Sequence, residues 1–132
     1  MIVVDSSALI AILEEEPESE RFLDVIRHAP RRLASAVTIY ETGVVLGTRR
    51  GWESAVELTA HLDQLGIETM PFAEPQIARA LQAYERYGKG IDSKARLNLG
   101  DCVAYALAKS MKAPLLFKGT DFSETDADVA AN

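Results

Sequence analysis

Residues 1–10 are MIVVDSSALI, four apolar residues at 1–4, then a carboxylate and two hydroxyls. Ile2, Val3 and Val4 are β-branched and apolar without alternation, the pattern of a short strand covered on both faces. Asp5 ends the run. Ser6 or Ser7 then serves as N-cap of a helix through SALIAILEEE. A strand that passes straight into a helix opens a β-α unit. A carboxylate at the carboxyl end of such a strand stands where open α/β folds keep their functional crevice.

The same alternation continues outward along the chain. PESERFLDVIRHA, with Pro17 in its first turn, and TIYETGVVLGTRR, ended by Gly51, are helical in period and flank the short strand RLASA. ESAVELTAHLDQLG is expected as one helix stopped by Gly66, IETMPF as a strand and PQIARALQAYERYG as a helix. After the polar loop KGIDSKARL come the apolar-striped helix NLGDCVAYALAKSMK and the strand PLLFKG. TDFSETDADVAAN is a polar tail with room for a last short strand. There is no internal repeat or low-complexity tract. Short apolar strands alternating with helices predict an α/β fold with a parallel sheet covered on both faces.

The 132 residues suit one domain, 1–132, with a core of its own. Apolar residues make up 48% and charged residues 26%, an ordinary globular mixture. No apolar run approaches the ~20 residues of a membrane helix. The N-terminal run is broken by Asp5 and has no basic residues before it, a poor signal peptide. A soluble cytoplasmic protein is expected. One cysteine, Cys102, excludes an internal disulfide and a multi-thiolate zinc site. His28 and His61 are isolated in sequence and expected at the surface. Nothing in the sequence pairs either with a nucleophile, although a fold can assemble such a pair.

The net charge of −6 argues against a nucleic-acid binder. The charge is uneven, however. From Arg79 to Lys118 there are eight basic residues and three acidic ones, so this segment is positive and the remainder strongly acidic. A basic lobe attracts a polyanion, and a solvated helix face is the plain alternative.

Four carboxylates occupy unusual positions. Asp5 and Asp121 follow strands. Glu41 has Val37, Val44 and Val45 as helical neighbours, and Asp101 has Leu97, Ala104, Tyr105 and Ala108, so both are expected on inward-facing apolar stripes. Capping explains each one singly: Thr38-x-x-Glu41 has the form of a capping box, Asn98-x-x-Asp101 nearly so, and Asp favours turns. The conjunction asks for more. All four can meet at one edge of the sheet, where ionised carboxylates repel and desolvation adds to the cost. A divalent cation removes that repulsion. Hard oxygen donors without His or Cys suit Mg²⁺ or Mn²⁺, and helix N-termini behind Glu41 and Asp101 favour the anionic form. Such a site suits phosphodiester hydrolysis, with the basic residues of 86–96 available to hold backbone phosphates.

The blocks IVVDSSALIAIL, TIYETG, LNLGDCVAYALAK and LLFKGTDFSETD, in this order and spacing, resemble the PIN domain, and more closely the VapC-type toxins of prokaryotic toxin–antitoxin pairs. The resemblance covers nearly the whole chain. It implies a three-layer α/β/α sandwich with a central, mainly parallel sheet. It also implies a Mg²⁺-dependent ribonuclease (Mn²⁺ being the alternative metal), usually homodimeric, which acts on RNA and is neutralised by a cognate antitoxin over the active site. The family's four acidic positions fall on Asp5, Glu41, Asp101 and Asp121, with Asp126 and Asp128 near the last and Thr120 where many relatives carry a second acid. The hydroxyls of Ser6 and Thr120 are candidates for orienting water. Trp52, Phe22, Phe72 and the tyrosines have the spacing of core or interface residues. Arg49 and Arg50 belong to a solvated helix end or touch RNA.

Three other readings compete. A receiver-type phosphoacceptor wants an adjacent acidic pair after the first strand, and this chain has Asp5-Ser6-Ser7. A haloacid-dehalogenase-like phosphatase wants a second Asp at position 7, which is Ser. A catalytically silent binding module on the same fold does not explain the intact acidic set.

Overall fold

The computed structural model describes residues 1–130. Four strands form one parallel sheet: β1 (Ile2–Val4), β2 (Arg32–Ser35), β3 (Ile67–Met70) and β4 (Leu115–Leu116), in the order β3-β2-β1-β4. Val3 lies in register with Leu33 on one side and Leu115 on the other. β1 is therefore a central strand, which explains its lack of alternation: Ile2, Val3 and Val4 are all buried.

Successive strand side chains point to opposite faces, and each face carries its own core. Ile2, Val4, Ala34 and Leu116 pack with Leu9 and Ile12 of α1 (Ser6–Leu13), Phe22 and Ile26 of α2 (Ser19–His28), Leu46 of α3 (Ala36–Arg50) and Leu58 and Leu62 of α5 (Leu58–Leu65). Val3, Leu33 and Leu115 pack on the other face, with Tyr87 of α6 (Glu74–Tyr87), Cys102, Tyr105 and Leu107 of α7 (Leu99–Met111), and Leu97 and Phe122. The result is the expected α/β/α sandwich. Among the described residues no helix is long and apolar enough to cross a membrane.

Several local expectations are corrected. α1 is capped by Asp5, whose side chain accepts from Ser7 N, and not by either serine. α2 starts at Ser19, with Pro17 outside its first turn. α3 starts earlier than its period suggested, with Ser35 accepting from Val37 N as cap; Thr38 is buried inside the helix and is no capping-box residue. The helix expected over 53–66 is two, α4 (Trp52–Val56) and α5, meeting at Glu57. The break lets Leu58 and Leu62 reach the core while Val56 stays 80% exposed. Trp52 is no core residue at 62% exposure; its indole lies over Gly47, where a Cβ would come within 2.2 Å of the ring. The polar tail forms a single bridge, Val129 to Leu115, in place of a strand, and its last two residues lie outside the described ones. His28 and His61 are exposed, as expected.

α1 carries Asp5 at its start, and its grip on the sheet depends on Leu9, which is fully buried. Leu9→Ala should lower the unfolding free energy by about 3 kcal/mol, the usual cost of such a cavity. Urea denaturation measures this, and a loss under about 1 kcal/mol contradicts the packing described here.

Candidate active site

In a parallel sheet the strands end on one edge, and the residues that follow them gather there. Asp5 follows β1 and lines a cleft of about 490 Å³ at that edge. Glu41 from α3, Asp101 from α7 and Asp121 from the turn after β4 line the same cleft. The four acids that lie far apart in sequence therefore share one opening. They differ in setting. Asp5 and Asp101 are buried, at 3% and 8% exposure, whereas Glu41 is half-buried and Asp121 exposed.

Each is held differently. Asp5 Oδ2 accepts from Ser7 N at 3.1 Å and from Ser7 Oγ at 2.6 Å, while its Oδ1 is buried with no hydrogen-bond partner. Asp101 completes a capping box: its N–H donates to Asn98 Oδ1 at 2.8 Å and its Oδ2 accepts from Asn98 N at 3.0 Å. Glu41 does not sit on a core-facing stripe. The buried face of α3 is Thr38, Thr42, Leu46 and Gly47, while Val44 is 36% exposed. The stripe of Glu41, with Val37, Val44 and Val45, lines an outer surface beside α7, and of the stripe only Glu41 and Val45 also line the cleft. The Glu41 carboxylate crosses to α7 and lies over Gly100, where a Cβ would stand 2.6 Å from Oε2, so a side chain there would push the carboxylate aside.

The electrostatics follow from this crowding. Burial pushes the Asp5 carboxyl up to about 6, against the lowering bonds from Ser7, and Glu41 adds repulsion. Burial likewise pushes Asp101 up to about 7; the Asn98 bond opposes this, and the charges of Asp5, Asp121 and Glu41 all add to it. Among the described residues none of the four acids stands in an ion pair. The carboxylates do not form a closed cage either: no group of three His, Cys, Asp or Glu side chains among the described residues is gathered tightly enough to hold an ion. Two buried, hydrogen-bonded acids and two more open to solvent thus line one cleft.

The remaining sequence candidates separate cleanly. Ser6 lines the cleft. Thr120 is exposed and does not line it. Asp126 is turned away, taking a hydrogen bond from Tyr105 Oη and ion pairs from Arg86 and Lys109. Asp128 does not line the cleft either; its carbonyl accepts from Leu115 N. None of the basic residues of 86–96 lines the cleft; the cations that do are Arg49 and Lys118. Both have acidic neighbours. Arg49 stands 4.0 Å from Glu14, and Lys118 bridges to Glu16 at 3.0 Å and Glu18 at 3.3 Å. Arg49 was legible as the residue two turns beyond Glu41 on one helical face, and Lys118 as a strand-end position like that of Asp5. Ser7 carried no signal beyond its place in an N-terminal turn.

Fold and cleft together define an α/β/α protein with an anionic pocket at the carboxyl edge of its sheet. The chain belongs to the PIN-domain family, whose model matches residues 2–128. It is 40% identical over 130 residues to Ribonuclease VapC30 of Mycobacterium tuberculosis strain H37Rv, covering 98% of each chain. Its fold is similar to that of M. tuberculosis VapC20, a Sarcin-Ricin loop cleaving toxin, with a TM-score of 0.79, 17% identity and 96% of each chain covered. It is similar also to a chain of a toxin–antitoxin complex from Klebsiella pneumoniae, with a TM-score of 0.72, 17% identity, and 98% of this chain and 96% of that one covered.

The raised carboxyl groups set a pH dependence. In metal-free buffer the folded state holds protons on Asp5 and Asp101 that the unfolded chain has already released. The native state then binds more protons, and stability falls as pH rises from about 4 to about 7. Asp101→Asn keeps an oxygen to accept from Asn98 N and removes one charge. Its stability relative to wild type should therefore rise over that window, by on the order of 2 kcal/mol. Urea titrations at pH 4, 5.5 and 7.5 in EDTA check this; a difference that does not vary with pH contradicts the assignment.

Proposed function

We propose that this chain, read as one nuclease domain over residues 1–132, is a Mg²⁺-dependent endoribonuclease of the VapC type, the toxin of a cytoplasmic toxin–antitoxin pair. The observation that carries this reading is the convergence of Asp5, Glu41, Asp101 and Asp121 on one cleft with no cationic side chain paired to any of them among the described residues. The 40% identity to a protein named as a ribonuclease supports the activity. The donor set fits a small divalent cation, Mg²⁺ or Mn²⁺. All its ligand atoms are carboxylate oxygens, and Asp5 Oδ1 is a buried acceptor that lacks a donor.

Asp5 and Asp101, buried and fixed by Ser7 and Asn98, would be the anchoring ligands. Glu41 and Asp121, at the rim, complete the shell or position the attacking water. A bound Mg²⁺ supplies Lewis-acid polarisation of the phosphodiester and makes water more acidic near neutral pH. Arg49 and Lys118 at the cleft wall attract the phosphates that flank the scissile one. In the hydrolysis a water oxygen bonds to phosphorus in line with the departing ribose oxygen. The P–O bond breaks, and the ribose oxygen leaves with a proton.

The antitoxin is the second partner. Since the K. pneumoniae chain of the same fold was solved as a toxin–antitoxin complex, we expect a cognate protein to cover this cleft and place a basic side chain among the acids. A homodimer accounts for the neighbouring surface. Tyr40 and Leu99, 74% and 76% exposed, belong to apolar ground that continues to Leu81 and Ile91. Light scattering should give twice the 14.4 kDa chain mass, and Leu99→Glu should shift it toward the monomer. A monomeric wild type removes that assignment.

The activity has a direct check. Purified protein should cleave RNA with Mg²⁺ and lose the activity in EDTA, and Asp101→Asn should lower the rate by at least about a hundredfold with the circular dichroism unchanged. Expression should arrest growth, Asp5→Ala should abolish the arrest, and co-expression of the neighbouring open reading frame should relieve it. An active Asp101→Asn protein overturns the site.

A further inference from the structure

We infer that Ser7 is a positioning residue for the acidic cleft: its hydroxyl locks one oxygen of Asp5 and thereby presents the other, Oδ1, as the cation-binding atom. The inference rests on the divalent-cation reading of the cleft and extends it to a residue that is not a ligand.

The hydrogen-bond directions carry it. Lys118 N donates to Ser7 Oγ at 2.9 Å. A backbone N–H has no choice of role, so Ser7 Oγ accepts there, and its own proton is committed to Asp5 Oδ2 at 2.6 Å. Ser7 N donates to the same oxygen at 3.1 Å. Asp5 N meanwhile donates to Leu116 O at 2.9 Å, fixing the backbone from which the carboxylate springs. Oδ2 is thus held by two donors, and Oδ1 is left buried with none.

An orphaned carboxylate oxygen is costly unless something positive meets it. The two donors on Oδ2 prevent the simplest escape, rotation of the carboxyl group to share them. Ser7 therefore does two things. It joins the start of α1 to the end of β4 through Lys118 N, and it sets which oxygen of Asp5 stays without a protein donor. Removing the hydroxyl lets the carboxyl rotate and leaves Lys118 N without an acceptor. Outer partners of this kind typically set metal affinity within a factor of 10–100.

The test uses the full chain and Mn²⁺ alone. Titration calorimetry should show Ser7→Ala binding Mn²⁺ about tenfold or more weakly than wild type. Ser7→Thr, which keeps the hydroxyl, should stay within about threefold of wild type. A purely structural serine would lower the melting temperature in Ser7→Ala and leave the affinity of the folded protein unchanged. If Ser7→Ala does not fold, Ser7→Cys keeps the volume with a much weaker donor and should still lose affinity severalfold. Wild-type affinity in a folded Ser7→Ala or Ser7→Cys protein, or a Ser7→Thr protein as weak as Ser7→Ala, overturns the inference. Failure of wild type itself to bind Mn²⁺ overturns the cation reading beneath it, so the two failures are distinguishable.

Discussion

The structure depends on the mutual repulsion of carboxylates held in a partly desolvated cleft. Asp5 and Asp101 are buried acids in a setting that favours their protonated forms, and Glu41 and Asp121 add negative charge from the rim. A protein tolerates such a cluster at neutral pH only through protonation or a counter-charge. Arg49 and Lys118 are close by but lean on Glu14, Glu16 and Glu18. Charge repulsion works against stability at this point, and the fold carries that cost on two hydrophobic cores, one on each face of the sheet.

Those cores explain how the acids are aimed. β1 is gripped on both faces and between two strands, so Asp5 leaves a rigid support. α7 starts in a capping box in which Asp101 is both cap partner and cleft acid. Capping and the aim of the acid are thus one arrangement: the Asn98 N–H that closes the helix end also fixes Oδ2 of Asp101. The glycine at 100 belongs to the same economy, because it admits the carboxylate of Glu41 from the facing helix.

Much of this was legible in the residues. The unbroken apolar run at 2–4 marked a buried strand with Asp5 at its end, and PLLFKG marked the strand that Asp121 follows. Asp101 was legible because its helical neighbours are apolar, and they are buried. Glu41 does share a cleft with the other acids, but not by an inward-facing stripe: Val37, Val44 and Val45 line an outer surface, since periodicity marks a stripe without saying what covers it. The capping of α1 by Asp5, with Ser7 as its donor, was hidden because three consecutive residues are all good caps and only the backbone chooses among them. The break at Glu57 and the failed last strand lay beyond local pattern, since both are decided by which side chains reach the core.

We propose that these dispersed acids make one seat for a small divalent ion. Anomalous diffraction from crystals grown with Mn²⁺ tests it most directly. A manganese peak is expected in the cleft, within coordination distance of Asp5 Oδ1 and of an Asp101 oxygen. Manganese bound elsewhere on the surface with the cleft holding none, or a lysine or arginine turned in to neutralise the acids, would contradict it.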